Sequence, residues 1–203
     1  PGKILGSTGM DALTHAVEAY VCKASNILTD AIALKAIQMI GKHLVPAVKT
    51  HNEESLDAMM AASTMAGMAF GNSDVASVHS ISEALGGFYD IPHGVANAMM
   101  LAPVSRLSIS GNPQKYADVA AALGIDTKNM SVIEAANAGV DLMQKMADEL
   151  EIPHFKDLDI IDPKDFDRLA KTAANADETF DNPVLMDQSD FKKLFEDLYN
   201  EGK

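Results

Sequence analysis

Four side chains of metal-binding type stand out by their kind and spacing. From Ser77 to Asn97 the chain reads S-V-H-S-I-S-E-A-L-G-G-F-Y-D-I-P-H-G-V-A-N and carries His79, Glu83 and His93. Few strong breakers interrupt residues 73–85, which predicts a helix, with Gly86 and Gly87 supplying the backbone freedom of its C-terminus. Pro92 suits the first position of a second helix, where a missing N–H costs nothing. His93 then projects from the opening turn of that helix toward the one carrying His79. Earlier, Gly9-Met10-Asp11-Ala12-Leu13-Thr14-His15 places Asp11 and His15 at i and i+4, one above the other on a helical face. Two histidines alone are more often packed or surface residues than ligands. One carboxylate and three imidazoles drawn from three helices make a different case. Such N/O donors suit a divalent first-row metal such as Fe(II) or Zn(II), and no thiolate competes for it.

The elements that must position these groups read as helices throughout. Ser7 or Thr8 can cap a helix to about Val21, with Asp11 in its first turns, where the helix dipole favours an anion. Residues 26–49 show apolar positions at Ile27, Ala31, Leu34, Ile37, Ile40, Leu44 and Val48, the 3.6-residue stripe of a helix, with Pro46 set to kink or shorten its end. Residues 53–70 predict a helix so poor in polar side chains that most of its sides should be buried. Its Gly67 and Gly71 would let backbone approach a ligand. Pro113 opens a helix to Leu123. Residues 131–150 are amphipathic, with Ile133, Ala136, Val140, Met143 and Met146 on one face, and residues 162–175 and 189–200 form two short terminal helices. No alternating strand pattern, repeat or low-complexity tract occurs. The fold class is all-α, a bundle-like single domain over residues 1–203 with about eight or nine helices. His43 and His51 read as surface residues, and His154 has no acidic or histidine neighbour at metal-ligand spacing.

Composition bounds the function. The chain has 203 residues, 47% of them hydrophobic, enough for one sizeable core. Aromatic residues make up 5%, there is no Trp, and Met and Ala are plentiful, which favours close-packed helices over strands. A net charge of −13 argues against nucleic-acid or anionic-membrane partners, which want a basic face. The single cysteine, Cys22, cannot form an internal disulfide, so a reducing cytoplasm is the default. No apolar run reaches the roughly 18 residues of a membrane helix, and the opening P-G-K-I-L-G does not read as a secretion signal.

G-M-D-A-L-T-H-A-V-E-A-Y, followed by two histidines in the G-G-F-Y-D-I-P-H-G-V-A-N-A setting, resembles the iron-containing (group III) alcohol dehydrogenases, and the resemblance continues to the end of the chain. It implies the dehydroquinate synthase-like α domain. It also implies that Asp11, His15, His79 and His93 bind the catalytic metal, iron in most members and zinc in some. The activity implied is interconversion of a small alcohol with its aldehyde or ketone by NAD(P), in an enzyme that is commonly a homo-oligomer. Many members carry a second histidine four residues after the one matching His79, near the substrate. Glu83 stands there, so the resemblance makes it the catalytic candidate, whether as proton relay, extra oxygen ligand or partner of a neighbour. Asn182-Pro183-Val184 departs from the family's Asn-Pro-Arg, losing any contact of that arginine. None of the 13 glycines makes a dinucleotide-binding turn. The resemblance places that element in an N-terminal α/β domain, so the chain is expected to be the C-terminal half of a longer enzyme and to bind NAD or NADP poorly alone. Two other classes answer to the same donors: a metal-dependent hydrolase, and a non-catalytic helical module whose site braces an interface.

Overall fold

The computed structural model describes residues 2–201, and its described residues form nine α-helices, short 3₁₀ turns and no strand. The first three are α1 (Gly2–Val21), α2 (Ile27–Thr50) and α3 (Glu53–Phe70), each packed on the other two. Then come α4 (Ser77–Tyr89) and α5 (His93–Ser108), which pack together, with α5 also lying on α1. A pair formed by α6 (Pro113–Ala122) and α7 (Val132–Glu149) leans on α2 and α5. A last pair, α8 (Phe166–Ala174) and α9 (Gln188–Asn200), closes over α4.

Local sequence starts several helices. Asn26 caps α2 by accepting from the Leu28 and Thr29 amides, while the Thr29 hydroxyl accepts from the Asn26 amide. Ser131 and Glu134 repeat this capping box at α7, and Asp187 with Asp190 at α9. The core is built from apolar faces meeting at the centre: Leu13 and Val17 of α1, Ile37, Ile40 and Leu44 of α2, Ile81 and Leu85 of α4, and Met100 and Leu101 of α5 are all buried. A separate aromatic cluster ties the end of the chain together, with the Phe155 and Phe195 rings stacked at 5.7 Å and Phe166 beside both.

The structure corrects several expectations. Helix α1 begins at Gly2, so the Ser7 and Thr8 hydroxyls bond back to the Ile4 carbonyl instead of capping, and Asp11 lies well beyond the first turn. Helix α4 begins at Ser77 and runs through Gly86 and Gly87. It ends when Asp90, at φ 54°, returns its amide to the Gly86 carbonyl at 2.9 Å. Pro92 is the residue before α5, not its first. Pro46 does not shorten α2, which continues to Thr50.

The buried stripe of α2 uses Ala33, Ala36, Ile37, Ile40, Leu44 and Ala47, while Ile27 and Ala31 are exposed. Ala33, Ala36 and Ala47 share the contact face with Ile37, Ile40 and Leu44, and small side chains there let α2 approach its neighbours closely. In α3 only one face is buried, with Met60 and Met68 exposed, because the helix packs mainly on α1 and α2. Ile133 of α7 is exposed as well, unlike the other four residues of its predicted face. By length and composition α2 could cross a membrane, contrary to the sequence reading. It lies in the bundle with its alanine stripe against α1 and α3.

Candidate metal centre

Helix α1 carries Asp11, His15 and Glu18 on one face, at successive turns. Helix α4 brings His79 from its first turn, and α5 brings His93 as its first residue and Asn97 one turn later. The approach of α5 to α1 requires Gly94. A Cβ there would stand 3.0 Å from the Ser7 carbonyl oxygen and 3.4 Å from the Asp11 Cβ. Together the helices place one donor atom each of Asp11, His15, His79 and His93 within 4.8 Å of one another.

Each imidazole is held by its outer nitrogen. His15 Nδ1 lies 2.9 Å from the Asp11 carbonyl oxygen, and His79 Nδ1 lies 2.6 Å from Glu18 Oε2. His93 Nδ1 lies 3.4 Å from the Ser82 hydroxyl, which itself donates to the His79 carbonyl. Acceptors on all three outer nitrogens assign the protons to Nδ1 and leave each Nε2 lone pair facing inward. The Nε2 atoms of His15 and His79 face each other at 3.0 Å. Two lone pairs that close repel unless a proton or a cation stands between them.

The amide of Asn97 partly meets this demand. Its Nδ2 donates to Asp11 Oδ1 at 2.7 Å and lies 3.1 Å from His79 Nε2 and 3.0 Å from His93 Nε2. Two N–H bonds cannot serve three acceptors at full strength, and the buried Oδ1 of the same amide has no partner among the described residues. Converging acceptors, one of them anionic, around a neutral donor fit a divalent cation with N/O ligands.

Burial and charge pull the rings apart in character. Burial, then the charge of His79, hold the His15 pKa below the usual imidazole value. Burial also opposes charge on His79, but the hydrogen bond and charge of Glu18 outweigh it and raise the pKa. The His93 side chain is 46% exposed against 5% for His79, so the cluster opens to solvent on the His93 side. The Phe70 ring, at the end of α3, lies against His15 with centroids 4.4 Å apart and the planes tilted by 40°.

Residues 6–199 match the family described as Fe-containing alcohol dehydrogenase, C-terminal. The chain belongs to the iron-containing alcohol dehydrogenase family. Within that family it is 38% identical over 201 residues to the 1,3-propanediol dehydrogenase of Citrobacter freundii, covering 98% of this chain and 52% of that protein. It is 32% identical over 195 residues to the NAD-dependent methanol dehydrogenase of Bacillus methanolicus, covering 96% and 51%. The solved alcohol dehydrogenase from Oenococcus oeni superposes with a TM-score of 0.94 at 35% identity, covering 98% of this chain and 52% of that one. The chain thus spans about half the length of the iron-containing dehydrogenases it matches.

The four residues singled out as ligands come together in this member of the family, and Glu83 does not join them. It lies on α4 one turn beyond His79, exposed, in none of the ion pairs of the described residues, and near enough to favour charge on that ring. His43 is half-buried beside the Ser55 hydroxyl, His51 caps α2 at the surface, and His154 pairs with Asp148 at 3.3 Å. Sequence reasoning missed Glu18 and Asn97. The signal for both was periodicity: Glu18 falls two turns after Asp11, and Asn97 one turn after His93.

Proposed function

We propose that this chain is the metal-holding part of an NAD(P)-dependent alcohol dehydrogenase that interconverts a small alcohol with its aldehyde or ketone. The observation that carries the reading is the convergence of three Nε2 lone pairs and one Asp11 oxygen on a space that, among the described residues, the Asn97 amide alone serves. Asp11, His15, His79 and His93 would hold the metal, Fe(II) or Zn(II), with the donors suiting either. When bound, such an ion supplies a Lewis acid that makes an alcohol proton easier to lose and polarises a carbonyl in the reverse direction. A nicotinamide, bound by the other half of the enzyme's length, would supply the hydride acceptor or donor.

This chain's own residues do the rest. Asp11 contributes the negative charge that offsets a cation, and Glu18 and the Asp11 carbonyl fix two rings with their lone pairs inward. Phe70 covers one side of His15 with apolar surface and limits water there. Exposed His93 marks the side on which a small substrate enters. Glu83, exposed one turn beyond His79, would pass the substrate proton to solvent. We place the enzyme in the cytoplasm, consistent with the lone, buried Cys22, and assign it a small-molecule partner and a homo-oligomeric state. The test has two parts. Metal content is measured on this chain reconstituted without oxygen with Fe(II) or Zn(II), and NAD(P)-linked alcohol oxidation on the full-length enzyme. About one ion per chain, lost in His79→Ala, with activity that follows metal content is expected. Full metal retention in His79→Ala with normal turnover would overturn the assignment.

A further inference from the structure

Glu18 is a buried carboxylate that belongs to neither the ligand set nor the proton path. It is 2% exposed, sits in the last turn of α1, and has no lysine or arginine partner among the described residues. A charge so buried needs its oxygens satisfied, or it destabilises the fold by several kcal/mol. Three donors satisfy it, all from α4 and the residue before it. The Ala76 amide donates to Oε2 at 3.0 Å, the Val78 amide donates to Oε1 at 2.7 Å, and His79 Nδ1 donates to Oε2 at 2.6 Å.

Two of these donors belong to the start of α4, whose cap residue, Ala76, has no side chain able to accept from the first-turn amides. A residue from a different helix supplies that cap. The third donor is the ring nitrogen of His79 that faces away from the cluster. One carboxylate therefore ends α4 and orients the imidazole that α4 carries.

We propose that Glu18 is the positioning residue of the metal centre: it holds His79 as the Nδ1–H tautomer and, by capping α4 across the helix packing, aims His79 Nε2 at His15, His93 and Asp11. A ring nitrogen held by a carboxylate is the arrangement by which a ligand's partner fixes its orientation and strengthens its basicity toward a metal. Glu18 itself lies outside the group of four donors. The inference rests on the metal-centre reading for its consequence and on the Glu18–His79 geometry for its content, and the two are tested separately.

The first measurement uses the metal-free chain with ¹⁵N-labelled histidine, by long-range NMR correlation at about pH 9, where imidazole is neutral. Wild type is expected to show His79 as a single Nδ1–H form, and Glu18→Gln a mixture or the Nε2–H form, with far-UV circular dichroism unchanged. Glutamine keeps the size but has one acceptor oxygen for three donors, and its own NH₂ group must face one of them. An Nε2–H ring in wild type, or the same Nδ1–H form in Glu18→Gln, overturns the proposal whatever the metal does.

The second measurement titrates cobalt(II) alone into the chain against a competing chelator. Affinity about ten- to a hundredfold weaker in Glu18→Gln at the same stoichiometry is expected. Equal affinity and an unchanged cobalt absorption spectrum overturn the proposed role. If wild type takes up no cobalt while the tautomer result holds, the metal-centre reading fails and the positioning of His79 by Glu18 stands. Should Glu18→Gln not fold, Glu18→Asp serves both measurements. It keeps the charge, and its shorter reach releases either the ring or the helix start, with the same two readouts deciding.

Discussion

Gly94 meets Ser7 so closely that a single added Cβ would stand 3.0 Å from the serine's carbonyl oxygen and 3.2 Å from its carbonyl carbon. Both atoms are backbone of α1, which cannot step aside as a flexible side chain could. The contact fixes how near α5, and with it His93 and Asn97, lies to Asp11. Gly94→Ala is therefore expected to destabilise the chain by about 1–3 kcal/mol, the usual range for overpacking, and to weaken zinc binding in parallel. Urea unfolding and chelator competition check both parts. Unchanged stability with unchanged affinity would mean that α5 can move without disturbing the site.

His79 and His93 are expected to part company when each is replaced by alanine. His93→Ala removes a side chain that is 46% exposed, so it should abolish stoichiometric metal binding while changing unfolding free energy by no more than about 0.5 kcal/mol. His79→Ala strips a partner from buried Glu18 and leaves a void beside it. It should lose metal and destabilise the chain by about 3–5 kcal/mol. Thermal melts of the two metal-free variants, run beside wild type, separate the cases. Equal melting temperatures would show that Glu18 does not depend on the ring.

Acid should release the metal, because three of its four proposed ligands must bind as neutral imidazoles. In the metal-free chain the two buried rings work in opposite directions. The raised pKa of His79 contributes stability that is present below the ordinary imidazole pKa and lost as pH rises through the folded value. The lowered pKa of His15 means that its protonation favours the unfolded chain, a loss that grows as pH falls from the unfolded value toward the folded one. With zinc bound, protons must displace the ion before either ring titrates. The gap in melting temperature between zinc-loaded and metal-free chain should be wide near pH 8 and should close at pH values well below about 6.5. A gap that persists in acid would point away from histidine ligation.

Glu83→Gln is expected to leave the metal content of the chain at the wild-type level and to alter the pH–rate profile of alcohol oxidation by the full-length enzyme. The exposed carboxylate sits outside the group of four donors, so its charge bears on proton movement more than on ion binding. Metal analysis together with kcat across pH distinguishes the outcomes. Loss of the ion would make Glu83 a ligand, and an unaltered profile would return it to the solvated surface.

Much of this arrangement could be read in the chain beforehand, and the reasons for the misses are physical. Helix α3 runs over Glu53–Phe70 as expected, because Asn52 and a run of strong helix formers define it locally. The four donors were legible because metal-binding types recur at helical spacing. Gly86 and Gly87 misled because a glycine permits a helix end without compelling one. Asp90 makes the left-handed turn instead, three residues past Gly87. The start of α1 was equally hidden, since Ser7 and Thr8 can bond back to the preceding turn as readily as they cap. Glu18 and Asn97 went unread because their importance lies in partners from other helices. The Ala76 amide that Glu18 accepts is 58 residues away in the sequence, a separation no local pattern expresses.

That separation also bears on biosynthesis. A nascent chain that has emerged only as far as α3 displays Asp11 and His15, with the acceptor meant for α4 still waiting inside α1. The cluster gains its third and fourth donors only when Ser77–Tyr89 and His93–Ser108 have followed and docked. An intermediate released only as far as α3 therefore offers two of the four donors, too few for a tight grip on an adventitious ion. Selection of the ion falls to the finished bundle.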